Sequence, residues 1–138
     1  MASELPGSYK KMKVSQKAIM EAYEKLGEAC AQAGPLTERE RALVKIGLST
    51  GARLEGGLHS HVRKALEAGL EPDEIRQAVY LALPTLGLPT MMAAATWVED
   101  VLEDEQKKEG SLRGRSNVPE GEAMAWREDS ISPPRASR

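Results

Sequence analysis

The sequence is short of the side chains that carry most protein chemistry. Among 138 residues there is one cysteine, Cys30, and there are two histidines, His59 and His61. A lone cysteine excludes a disulfide within the chain and points to a reducing, cytoplasmic setting. Phenylalanine is absent and aromatic residues make up 4%, so a core must be assembled from Ala, Leu, Val, Ile and Met, whose small members let helices approach closely. Nor does one sign of charge dominate: 19 basic against 21 acidic residues give a formal net charge of -2. That balance argues against nucleic acid or an anionic membrane as partner. No stretch has the roughly 20 apolar residues that span a bilayer, and Met1 to Lys13 lack the apolar core and small-residue cleavage site of a secretory leader. Membrane insertion and secretion are therefore not expected.

What the sequence does have is helical periodicity. From Ser15 onward, Ile19, Ala22, Tyr23, Leu26, Ala29, Cys30 and Ala33 recur on one face, which predicts an amphipathic helix stopped near Gly34-Pro35. On that stripe Cys30 reads as a small buried hydrophobe. Thr37-Glu38-Arg39-Glu40 has the spacing of a capping box, opening a second helix that ends near Gly51. Arg53 to Ala68 reads as a third, with Gly69 suited to the left-handed position after it. Pro72-Asp73-Glu74 opens a fourth, since proline is tolerated in a first turn and acids complement the positive end of a helix. Pro84 and Gly87 interrupt the pattern, and a fifth helix runs from Pro89 through Met91, Ala95, Val98 and Leu102. The expectation is an all-α fold: one compact multi-helix domain over residues 1–109. Residues 110–138, rich in Gly, Ser, Pro, Arg and Glu, are expected to form a disordered tail.

Both histidines fall on the third helix. Two residues apart, they point about 200° from one another, so they do not share a metal in the i, i+4 manner, and neither a metal nor a cofactor is expected. Taking Leu58 as the inward direction puts His61 inside the edge of the apolar face and largely buried, whereas His59 lies farther out near Glu55. A buried imidazole can simply pack, hydrogen-bonded to a carbonyl. It can also exchange a proton near neutral pH. Glu40 and Glu55 are the nearest carboxylates in sequence that could face it.

The run Glu40-Arg41-Ala42-Leu43-Val44, followed by Leu58 to Leu70 and by Pro72-Asp73-Glu74-Ile75, resembles the carboxymuconolactone decarboxylase family, which includes alkylhydroperoxidase D-like proteins. The resemblance covers Thr37 to Pro89. It implies an all-helical domain of the alkylhydroperoxidase D-like type, assembled as a homotrimer or homohexamer, with a site at a subunit interface in several members. The thiol branch carries C-x-x-C-x-x-x-H and a Glu farther upstream. With its His matched to His61, Leu54 and Gly57 stand at the cysteine positions and Ala42 at the Glu. A thiol peroxidase needs an attacking thiolate and a resolving thiol, and neither Leu54 nor Gly57 supplies one.

The resemblance to the decarboxylase branch implies lyase chemistry on a small carboxylated ring compound, with His61 as proton donor or electrostatic partner. In the residue-level reading Glu55 or Glu40 orients it, and Arg53, Arg63 and His59 bind the substrate. The rival expectation is a non-catalytic assembly protein in which His61 packs. Its cue is Glu109-Gly110-Ser111-Leu112-Arg113-Gly114-Arg115, which resembles the Gly-Ser-Leu segments by which cargo docks in encapsulin shells; Gly110 to Arg115 would be the docking segment.

Overall fold

A computed structural model describes residues 6–116 of the chain. Among these residues the structure is all-α, with seven helices: α1 (Gly7–Ser15), α2 (Lys17–Ala31), α3 (Glu38–Gly51), α4 (Glu55–Glu67), α5 (Pro72–Tyr80), α6 (Leu83–Leu86) and α7 (Leu88–Ser116). The chain divides into two units after Leu102. The first holds the core and the residues around His61. The second begins at Glu103 with the latter part of α7, exposed over most of its length.

Helix ends follow the local chemistry. At the start of α3 the Thr37 hydroxyl accepts from the Glu40 N–H at 3.2 Å, and the Thr37 N–H donates to Glu40 Oε2 at 2.7 Å. Both orphan donors are satisfied reciprocally. At the end of α4, Leu70 N–H donates to Ala65 O and Gly69 N–H to Leu66 O, with Gly69 at φ +86°. This paired closure needs a left-handed residue, which glycine adopts without strain. The same closure ends α3, where Leu54 N–H donates to Ser49 O and Arg53 N–H to Thr50 O. There the left-handed residue is Arg53, at φ +54°.

The core is aliphatic. Ile46 of α3, Leu58, Val62 and Ala65 of α4, Ile75 and Val79 of α5, and Met91, Ala94, Val98 and Leu102 of α7 form one buried cluster. Fully burying side chains such as Ile46 or Leu58 contributes about 1.5–3 kcal/mol each. Ala94 is completely buried, as expected where a small side chain permits close packing. Two arginines clamp the helices around this cluster. Arg76 grips Glu99 through Nε–Oε1 at 2.6 Å and Nη2–Oε2 at 3.1 Å, tying α5 to α7. Arg39 reaches Gly69 O and Glu74 Oε1, each at 2.6 Å.

Three sequence expectations are corrected. Helix α1 was not foreseen; it has no buried residue and is tied to α2 by Lys13–Glu24 at 2.7 Å and Tyr9–Glu24 at 3.4 Å. On α2 only Met20 is buried, and Cys30 is exposed, because among the described residues no element covers the stripe that carries it. The boundary expected at Gly110 also falls inside α7, which runs to Ser116 with Arg113 and Arg115 in its last turn. Those cations complement the negative end of the helix and help it continue past two glycines. The rest of the expected tail, residues 117–138, lies outside the described residues.

Candidate functional site

His61 lines a cleft of about 190 Å³ where α3 passes α4. From α3 the walls are Glu38, Arg41, Ala42 and Lys45; from α4 and its end they are His61, Lys64, Glu67 and Ala68. Arg41 and Lys45 stand one turn apart, as do His61 and Lys64, so each helix presents two nitrogen-bearing side chains to the same space. The Arg41 guanidinium is anchored by donation from Nη1 to Leu36 O at 2.6 Å.

His61 is half-buried rather than largely buried. Burial holds its pKa below the ordinary value of 6.5, and the positive charges of Lys64 and Lys45 act in the same direction. Both effects favour the neutral imidazole, an acceptor through one nitrogen and a donor through the other. Three cationic side chains face two carboxylates around it, an arrangement that favours an entering anion over a cation.

The structure brings few of the expected partners to His61. Glu40 is committed to the α3 cap. Glu55 is exposed in the first turn of α4 and does not line the cleft, since it lies almost two turns before His61. Arg53 is held by its turn and donates from Nη1 to Thr90 Oγ1 at 3.0 Å. Arg63, two residues after His61, projects from a different direction of α4 and does not line the cleft. His59 faces α7, where Nε2 lies 3.5 Å from Asp100 Oδ2 without forming an aligned hydrogen bond. Only His61 of the six expected site residues lies in the cleft. Arg41, Lys45 and Lys64 line the cleft with it; their spacing is visible in the sequence, but the pairing of α3 with α4 is needed to aim them. Ala42, where the thiol branch would have its Glu, lines the cleft beside His61. Gly110 to Arg115, the expected docking segment, are helical turns of α7, not an extended tether.

Two other cavities lie on α3. One, about 630 Å³, lies between α3, α5 and α6; its walls include Leu43, Val44, Leu81 and Leu86. Its carboxylate, Glu74, is held below the ordinary carboxylate range by the Glu71 N–H and then by Arg39. This cavity is larger than the His61 cleft but has no histidine, and its carboxylate is already engaged. The second, about 470 Å³, runs between α2 and α3 past Tyr23, Leu26, Cys30, Val44 and Leu48. Among the described residues no group of three or more His, Cys, Asp or Glu is placed to hold a metal, and no helix is long and apolar enough to cross a membrane.

Residues 17–100 match the carboxymuconolactone decarboxylase family, a span that contains the whole His61 cleft. The fold is similar to that of a carboxymuconolactone decarboxylase family protein from Legionella pneumophila, solved in its apo form. The two superpose with a TM-score of 0.62 at 20% sequence identity, covering 70% of this chain and 86% of the other. No curated protein matches the sequence.

Proposed function

This chain belongs to the carboxymuconolactone decarboxylase family, and from that premise we propose that it is a cofactor-independent lyase acting on a small carboxylated ring compound, with His61 as its proton-transfer group. The observation that carries this reading is the convergence of His61 with Arg41, Lys45 and Lys64 on one cleft. A substrate carboxylate entering there offsets the two lysine charges that depress the imidazole pKa. Binding then draws a proton onto His61, converting a neutral ring into a proton donor beside the substrate.

The step that follows is balanced without an oxidant. The bond between the carboxylate and the ring carbon breaks and carbon dioxide leaves. The electron pair stays behind as an enolate-like charge, and the His61 imidazolium returns a proton to carbon. Arg41 and the two lysines stabilise the anionic charge as it moves. Leu54 and Gly57 hold the positions where the thiol branch has its cysteines, and Cys30 does not line the His61 cleft, so the reading calls for no thiol chemistry.

Carbon dioxide release from a γ-lactone bearing a carboxylate tests the reaction. His61→Gln should lower kcat by about 100-fold or more, the usual scale of general acid–base catalysis. Glu55→Gln, outside the cleft, should leave it unchanged. Equal activity of wild type and His61→Gln would overturn the assignment.

A further inference from the structure

The His61 cleft and the α2–α3 groove are not separate features. Arg41 and Lys45 line both, so two of the three cationic side chains around His61 also border the apolar groove. At about 190 Å³ the cleft is smaller than ligand sites commonly are, and at about 470 Å³ the groove falls within the usual range of about 300–1,000 Å³. The groove walls are apolar where they leave the cations: Tyr23 and Leu26 on α2, Val44 and Leu48 on α3, all exposed. The carboxylate on that lining, Glu24, is already paired with Lys13 at 2.7 Å, so Arg41 and Lys45 set the charge that a ligand meets.

We propose that cleft and groove together form one binding site for an amphipathic carboxylate, its head between Lys45, Arg41 and His61 and its apolar chain along the α2–α3 groove. This rests on the assignment of the His61 cleft as a carboxylate site and narrows its substrate class: the molecule carries an apolar extension, not a carboxylated ring alone. The match is one of charge and polarity. The cations stand at the junction of the two spaces, and the surface running away from them is aliphatic and aromatic.

The test uses the full chain with octanoate, acetate and octanol as probes, read by the His61 imidazole resonances and by the alkylation rate of Cys30. As the single cysteine of the sequence, and an exposed one on the groove wall, Cys30 gives an unambiguous mass-spectrometric signal. Octanoate should bind about tenfold or more tighter than acetate, because the added methylenes leave water. It should slow Cys30 alkylation several-fold where acetate does not, and octanol should leave His61 unperturbed. Leu26→Gln and Leu48→Gln, at exposed positions that folding does not depend on, should shrink the octanoate advantage while acetate still perturbs His61. If acetate and octanoate perturb His61 equally and neither protects Cys30, the groove is no part of the site and the extended ligand is refuted, while the cleft assignment stands. Such a result would also fit a groove covered by a second copy of the chain, which sedimentation would reveal. If neither carboxylate perturbs His61, both the inference and the cleft assignment fall.

Discussion

Protonation of His61 works against the folded state as well as preparing it for chemistry. Its folded pKa lies below 6.5 because of burial first, then Lys64 and Lys45; the other charged groups lining the cleft are Glu38 and Glu67 of opposite sign and Arg41. Above about pH 6.5, the ordinary histidine value, the ring is neutral both folded and unfolded and the difference contributes nothing to the slope. As pH falls through 6.5 toward the folded value, the unfolded chain takes up the proton first, so stability declines. Chemical denaturation of the wild type should therefore show stability falling as pH drops below about 6.5. His61→Gln should flatten that part of the profile. The acidic limb below it belongs to Glu99 and Glu74, whose pKa values are lowered by Arg76 and by the Glu71 N–H respectively. A His61→Gln profile as steep as the wild type would show that the imidazole is not desolvated.

Among the elements, α5, α6 and the start of α7 present an apolar surface to the outside. Tyr80, Leu81, Leu83, Leu86, Leu88 and Met92 are each between 44% and 64% exposed, a concentration that a lone soluble chain rarely carries. We propose that copies of the chain associate through this face, with the trimer or hexamer implied by the family resemblance as the expected states. Light scattering after size exclusion should give a multiple of the 15.0 kDa chain mass, and Leu83→Glu with Leu86→Glu should reduce it toward the monomer. A monomeric wild type would dismiss the proposal. The elements themselves were largely legible. The Thr37/Glu40 box, Gly69 and Pro72 mark helix ends by local chemistry that needs no tertiary context. Helix α1 was not, because Lys10, Lys11 and Lys13 break any apolar stripe and its support comes from Glu24 of α2. Periodicity correctly marked the apolar face of α2, but it does not say what covers that face, hence the exposed Cys30.

At the scale of the molecule, the helical domain and its family could be read from sequence because the Glu40–Val44 and Leu58–Leu70 runs are local. Of the proposed site, only His61 was legible. Its partners come from the crossing of α3 with α4, and a reading confined to sequence neighbours chose Arg53 and Arg63 in place of Arg41, Lys45 and Lys64. Local roles also concealed themselves: Glu40 satisfies a cap, and Arg53 fills a left-handed turn, so neither is available to the imidazole. The central claim is that an anion entering this cleft draws a proton onto His61. NMR titration of the His61 ring, with and without a saturating carboxylated γ-lactone, tests it most directly. The His61 pKa should lie below 6.5 in the free protein and rise when the ligand binds, with net proton uptake near neutral pH. A His61 pKa that is unmoved by ligand would contradict it.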